Sequence, residues 1–349
     1  MIGRDISIFK PASAVRSRLV KLAAQVGEIT DLAFSKLTEE GAEVKDGALT
    51  ILPTQSRRAA WYVVDAYKIF KKITKPDLIT VQDPFLAGLA GVWAKRFYRV
   101  PLEIQVHTDV LAKNFRYLSI KNFSYYLLAR FILPRANKVR VVSERVKREL
   151  VKSKLVAESK IYVLPIFATL NKISGAPSWF TQVPAGRKII LMAGRLEAEK
   201  RYSLALQALA KLADKKVMLV VAGAGSLLVD LQAEAVRLGI DKQVLWLGQL
   251  DPEELVQSYE VSHFFLHTAA YEGYGLVFAE AAQAGLPIIS TDVGVAKEAG
   301  ALIVAPTALA IAMGLTAALK NPPHSHLPPL ATEDDYLTTL TREWQALLS

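Results

Sequence analysis

Short apolar runs recur along this chain, and each is followed by a stretch with helical spacing. KIILMA at 188–193, VMLVVA at 217–222 and FFLH at 264–267 show it best. Such runs are too short for buried helices and read as strands covered on both faces. Strands of that kind belong to parallel sheets, and parallel strands need helical crossovers. The class expected is therefore α/β, with a parallel sheet covered by helices.

Strands are expected in the first half at Glu28–Phe34, Leu49–Leu52, Asp77–Gln82, Leu102–Val106, Lys138–Val142 and Ile161–Leu164. Helical patterns fall at 14–25, 57–73, 84–97, 118–133 and 144–153, with Pro84, Pro101 and Pro134 at element ends. The second half repeats the alternation. Its strands are expected at Lys188–Ala193, Val217–Ala222, Val244–Leu247, Phe264–His267, Pro287–Thr291 and Leu302–Val304. Its helices are expected near 200–213, 226–238, 252–260, 275–284 and 306–319. A Pro- and Gly-rich stretch at 165–187 separates the halves and reads as a linker. A final amphipathic helix at 333–348 follows the break NPPHSHLPPL. The domains expected are thus 1–170, 185–330 and a C-terminal helix within 331–349. The opening is unusual: Arg4 and Asp5 interrupt the apolar run Met1–Phe9 where a full buried strand would be expected.

Hydrophobic residues make up 52% of the 349 residues, enough for sizeable cores. There are no cysteines, which excludes disulfides and thiolate metal sites. Nothing at the N-terminus reads as a signal peptide and no run of about 18 apolar residues occurs, so a cytoplasmic location is expected. Charge is uneven. Residues 1–172 hold 30 Lys and Arg against 15 Asp and Glu, whereas the rest holds 13 against 18. An anionic partner is expected for the first half only.

Chemistry concentrates in the second half. EGYGLVFAEA, 272–281, follows a strand and opens a helix. Its glycines let a ligand approach the backbone, and the helix N-terminus suits a phosphate. Glu272 and Glu280 cannot bind phosphate but can accept hydrogen bonds from sugar hydroxyls. In KIILMAGRLEAEK, Arg195 and Lys200 stand beside a helix start and offer cations to a diphosphate. Gly223 and Gly225 form a glycine turn after a strand, either a plain tight turn or a nucleotide contact. Gly248 follows the next strand. His107, in EIQVHTD, ends a strand of the first half, and Asp109 would orient it or cap the next helix. No Asp-x-Asp motif, Walker loop or metal-ligand spacing is present.

Together these motifs resemble the E-x7-E and GR-x4-K signatures of retaining GT-B glycosyltransferases, the family-four (group 1) type. The resemblance implies two Rossmann-like domains facing each other across a cleft, with the last helix crossing back to the first. It implies a nucleoside diphosphate sugar donor (a UDP- or GDP-sugar) and no metal. By resemblance the catalytic residues are His107, Arg195, Lys200 and Glu272. Arg195, Lys200, Gly223, Gly225, Gly248, Gly273, Tyr274, Gly275, Leu276 and Glu280 line the donor site. Glu272 holds the donor sugar, Glu280 the ribose, and His107 reaches the sugar from the first domain. The acceptor implied is a glycan or lipid-linked precursor, as in cell-surface polysaccharide or glycolipid synthesis. Relatives often carry a glycine-rich first loop, and Ser13–Arg18 departs from it.

The stretch Lys113–Arg135 is basic and aromatic, with no acid between Asp109 and Glu144. It suits an anionic membrane surface on the inner face of the plasma membrane, or else a helix whose apolar face is core. No nucleic-acid recognition motif supports that partner. Two other readings remain open: a GT-B nucleotide-sugar epimerase, and a non-catalytic protein binding an anionic partner.

Overall fold

The computed structural model describes residues 1–37, 42–166, 173–212, 214, 216–329 and 331–349. The middle of the stretch read as a linker, 167–172, lies outside them. The chain divides into two compact units.

The first unit comprises Met1–Leu111, Ser119–Pro165 and Ala331–Ser349. Its elements up to residue 111 are β1 (Ile2–Gly3), α1 (Ala14–Val26), β2 (Ile29–Ala33), β3 (Val44–Asp46), β4 (Leu49–Pro53), α2 (Tyr62–Phe70), β5 (Ile79–Val81), α3 (Leu86–Tyr98) and β6 (Leu102–Val106). The one-turn helix α4 (Lys113–Arg116) comes next and belongs to the second unit. The first unit resumes with α5 (Ile120–Ile132), β7 (Lys138–Val141), α6 (Glu144–Lys152) and β8 (Ile161–Val163). Among the described residues the sheet runs β3-β4-β2-β1-β5-β6-β7-β8, parallel except for the edge strand β3.

The opening strand is real but only two residues long. It sits mid-sheet, with Ile2 paired to Leu32 and Val81. A 3-10 turn at Ile6–Phe9, capped by Asp5, takes up the rest of the run. The sequence gives no warning of β3, because its two polar residues hide the strand pattern. The helical pattern at 57–73 divides into a 3-10 turn, Ala59–Trp61, and α2.

The second unit comprises Ala112–Leu118 and Ile166–Leu330. Its further elements are β9 (Lys188–Ala193), α7 (Tyr202–Lys211), β10 (Val217–Ala222), α8 (Leu228–Arg237), β11 (Val244–Gly248), α9 (Pro252–Glu260), β12 (Phe264–His267), α10 (Leu276–Gln283), β13 (Ile288–Ser290), β14 (Leu302–Ile303) and α11 (Ala308–Lys320). The sheet order is β11-β10-β9-β12-β13-β14, all parallel. Ile190 and Met192 of β9 and Val217, Leu219 and Val221 of β10 are buried with apolar residues of α7, α8 and α11. Local signals fix the boundaries. Asp251 caps α9 by accepting from Glu254 N at 2.8 Å, with Pro252 in the first turn. The later part of the expected linker is anchored here: Trp179 is buried and donates to Ser258 Oγ at 2.9 Å.

Two segments depart from a simple halving. Residues 112–118 pack with the second unit: Asn114 donates to the Ala270 carbonyl at 2.9 Å, and Phe115 meets Tyr271 edge-on at 5.2 Å. The C-terminal helix α12 (Glu333–Leu348) packs in the first unit. Its Leu337, Leu340 and Trp344, spaced three and four apart, join the core of α1, β2 and β4. Burying side chains of this size contributes about 1.5–3 kcal/mol each.

Candidate active site

In the second unit's sheet the chain runs outward from β9 through β10 to β11, then returns to β12 on the other side of β9. The C-terminal ends of β9 and β12 therefore flank a topological switch point, where open α/β sheets bind ligands. Arg195 and Lys200 lie on the loop after β9, and Glu272 to Gly275 on the loop after β12. The two loops are tied together: Ala270 N donates to the Glu199 carbonyl at 2.7 Å, and Thr268 Oγ1 to the Lys200 carbonyl at 2.8 Å.

The central contact is an ion pair between Lys200 Nζ and Glu272 Oε1, both largely buried. Burial opposes ionisation of Glu272, but His267 and Lys200 outweigh it and hold the carboxyl at about 2. His267 Nε2 lies 3.2 Å from the same oxygen, close enough for its N–H to face the carboxylate. Burial pushes the His267 pKa down, so that ring is neutral and the charge facing Glu272 is that of Lys200. Arg195 is 3.1 Å from Glu199, with its side chain 76% exposed. Each cation expected to meet a diphosphate thus rests on a carboxylate here.

Glu280 lies in α10, and Tyr259 donates to its Oε2 at 2.7 Å. Burial raises its pKa, against the Tyr259 hydrogen bond. Gly275 caps α10 at φ +86°, where a side chain would strain the backbone and strike Phe278. Leu276 opens the helix, whose first N–H groups have no acceptor within it. Tyr274 is buried, and its hydroxyl donates to the Pro329 carbonyl at 2.6 Å, so its side chain is not offered to a ligand. Gly273 precedes it on the same loop.

The glycine turn after β10 has a packing reason. A Cβ on Gly223 would stand 1.9 Å from the Gly194 carbonyl oxygen, and one on Gly225 2.4 Å from that of Leu196. These glycines let the turn close on the Arg195 loop. Gly248 ends β11, and its N-terminal neighbour in space is Gly223, whose N–H donates to the Gly248 carbonyl at 2.7 Å. Among the described residues no three His, Cys, Asp or Glu side chains gather into a metal-holding group.

His107 lies in the first unit, just past β6. Its Nε2 is 3.2 Å from Gln105 Oε1. Crowding by protein, and then the Arg140 and Arg18 guanidinium groups, push its pKa down to about 3. The imidazole is therefore neutral, although the residue keeps an exposed surface. Asp109 is buried beside Arg145, 3.8 Å away.

The groups behind His107 do not stand out in the sequence. Glu103 and Gln105 share its strand face, and Arg140 is 2% exposed. The available signal was the polar alternation Glu103, Gln105, His107 inside an otherwise apolar strand.

The two parallel-sheet units have the fold of GT-B glycosyltransferases. The sequence model of "Glycosyl transferases group 1" matches residues 178–327, and that of "Glycosyltransferase Family 4" matches residues 21–170. The chain belongs to the family-four type of GT-B glycosyltransferases. Alpha-monoglucosyldiacylglycerol synthase of Streptococcus pneumoniae is 29% identical over 229 residues, which is 61% of this chain and 51% of that protein. The chain thus matches about half the length of that relative. Sucrose-phosphate synthase of Thermosynechococcus elongatus has the same fold at 18% identity, with a TM-score of 0.73 over 99% of this chain and 95% of that one. Anabaena HepE in complex with UDP and glucose also shares it, at 18% identity and a TM-score of 0.68 over 99% and 94% of the two chains.

Proposed function

We propose that this protein transfers a sugar, with retention at the anomeric carbon, from a nucleoside diphosphate sugar to a glycan or lipid-linked acceptor. The observation that carries the reading is the Lys200–Glu272 pair at the switch point, beside the N-terminus of α10. Lys200 and Arg195 exchange their carboxylate partners for the donor's diphosphate oxygens. They and the α10 N-terminus then stabilise charge on the departing diphosphate, where it develops in the transition state. This supplies positive charge from the protein itself, so a divalent metal is not required. Glu272, released from Lys200, accepts hydrogen bonds from donor-sugar hydroxyls, and Glu280 accepts from the ribose. His107 contributes a hydrogen bond to the same sugar. The donor is a UDP- or GDP-sugar; HepE, which shares the fold, binds UDP.

A thermal-shift screen across UDP-, GDP- and ADP-sugars in EDTA tests the donor assignment, since a ligand bound by the folded state alone raises its stability. No shift with any of them, or one requiring a divalent metal, contradicts it. The anomeric configuration of the product, read by NMR, tests retention. Conversion of the donor into an epimer without a new glycoside would favour the epimerase reading.

For the acceptor side we propose an anionic membrane surface as partner. On α5, Ile120, Phe123, Leu127 and Phe131 form one exposed stripe, while the core side holds the smaller Ala129 together with Ile132. Ile120 is 91% exposed. Lys121, Arg130 and Arg135 accompany the stripe, in a segment without acids. This supports a peripheral enzyme acting at a lipid surface.

A further inference from the structure

The first unit contains a row of buried polar side chains that donor binding does not use. Glu103, Gln105 and His107 occupy alternate positions along and just past β6, so they share one face of the sheet. Across the ladder, Glu103 pairs with Thr80 of β5 and Gln105 with Arg140 of β7. Glu103, Thr80, Gln105 and Arg140 are all buried. Polar groups buried this deeply need defined partners, and here each partner fixes the next.

Arg140 has donors only. Its Nη1 lies 3.0 Å from Gln105 Oε1, so that atom is the amide oxygen and accepts. The reversed amide would set two donors against each other. Gln105 Nε2 then donates to Thr80 Oγ1 at 3.2 Å. Thr80 passes its one hydrogen to Glu103 Oε2 at 2.6 Å. The orientation agrees at every link. His107 Nε2 is 3.2 Å from the same Gln105 oxygen, which only accepts, so Nε2 carries the hydrogen. In the neutral ring Nδ1 then holds a lone pair, and none of the described residues donates to it.

We infer that Gln105 and Arg140 are positioning residues that lock His107 in the Nε2–H tautomer, leaving Nδ1 to accept a hydrogen bond from a hydroxyl of the transferred sugar. The inference rests on the reading of His107 given above. It specifies what His107 does: the ring accepts from a hydroxyl and does not donate to a phosphate. The C-terminal helix braces the far side of the row. Arg140 Nη1 donates its other hydrogen to Tyr336 Oη at 2.9 Å, and Trp344 Nε1 donates to Glu103 Oε2 at 3.0 Å.

The test is the two-bond 15N–1H correlation spectrum of the histidine rings in the full chain. The chain has five histidines, and the His107 signals are those missing in His107→Ala. The wild type is expected to show Nε2 protonated and Nδ1 bare at neutral pH. Gln105→Leu should mix the two tautomers, and Gln105→Glu, which restores an acceptor of the same shape, should return the Nε2–H form. In Gln105→Leu, kcat should fall about tenfold, as for one lost hydrogen bond in the transition state, with nucleoside diphosphate affinity unchanged. A wild-type ring protonated at Nδ1 overturns the inference whether or not the variants fold. So does a tautomer that stays pure in a folded Gln105→Leu. Full transfer by His107→Ala, with the tautomer as expected, instead overturns the role of His107 in the reaction.

Discussion

The two units use the same parallel-sheet architecture but hold their polar groups differently. In the second, Arg195, Lys200 and Glu272 sit on loops beyond the strand ends, where they can trade partners with a ligand. In the first, Glu103, Gln105 and Arg140 lie inside the sheet with fixed partners, and only His107 reaches the surface. Loop charges act by exchange, so they should govern affinity. A buried row acts by holding one side chain in place, so it should govern stability and the chemical step. The contrast can be broken from either side.

The largest effect is expected in the first unit. Glu103 accepts from Thr80, Tyr162 and Trp344, and Glu103→Leu strands all three donors. Removing one member of a buried charged network costs about 3–5 kcal/mol. Thermal unfolding should show this loss, while nucleoside diphosphate binding at temperatures where the variant is folded stays near wild type. A change in binding without a change in stability would reverse the contrast.

Next comes donor affinity in the second unit. Lys200→Ala should weaken nucleoside diphosphate binding by about 1.5–3 kcal/mol, the range for a charged hydrogen bond. Arg195→Ala should cost less, because its exposed side chain is held less firmly. Calorimetric titration checks the order, and equal losses would remove the distinction between the buried and the exposed cation.

A further effect should appear with pH. A carboxyl held at about 2 contributes stability when ionised. That contribution is complete above the ordinary glutamate pKa of about 4.3 and is lost as pH falls towards 2. Denaturation curves between pH 5 and pH 2.5 should steepen for the wild type relative to Glu272→Gln. Parallel curves would mean that the Lys200 pair does not hold the Glu272 charge.

Per side chain, the smallest effect is at the surface. Changing Lys121, Arg130 and Arg135 to Ser should reduce flotation with anionic vesicles, each charge contributing about 1 kcal/mol. Salt should do the same to the wild type, since screening sets in within about 8–10 Å. Equal recovery on neutral vesicles, or none on either kind, would contradict the membrane reading.

Much of the fold is legible in the sequence because most strands are buried on both faces. KIILMA and VMLVVA coincide with β9 and β10, and the final helix with α12. What escapes has a physical cause. β3 is an edge strand with polar residues, secured in part by the Arg16–Asp46 ion pair at 2.8 Å. Residues 112–118 pack with the second unit through Asn114 and Phe115, contacts that no local pattern encodes. At the site, Arg195, Lys200, Glu272 and Glu280 stand out because spacing ties them to loops and a helix start. Arg140 does not: one arginine in a strand looks like an interruption until the ladder sets it beside Gln105.

The central claim is that Glu272 serves the sugar and Lys200 the diphosphate. Affinities of Glu272→Ala for a nucleoside diphosphate, with and without its sugar, test this most directly. The account predicts that the bare nucleotide binds at least as well as in the wild type, since Lys200 is freed, while the sugar-bearing donor loses affinity by about 1.5–3 kcal/mol. Equal losses for both ligands, or none for either, would contradict it.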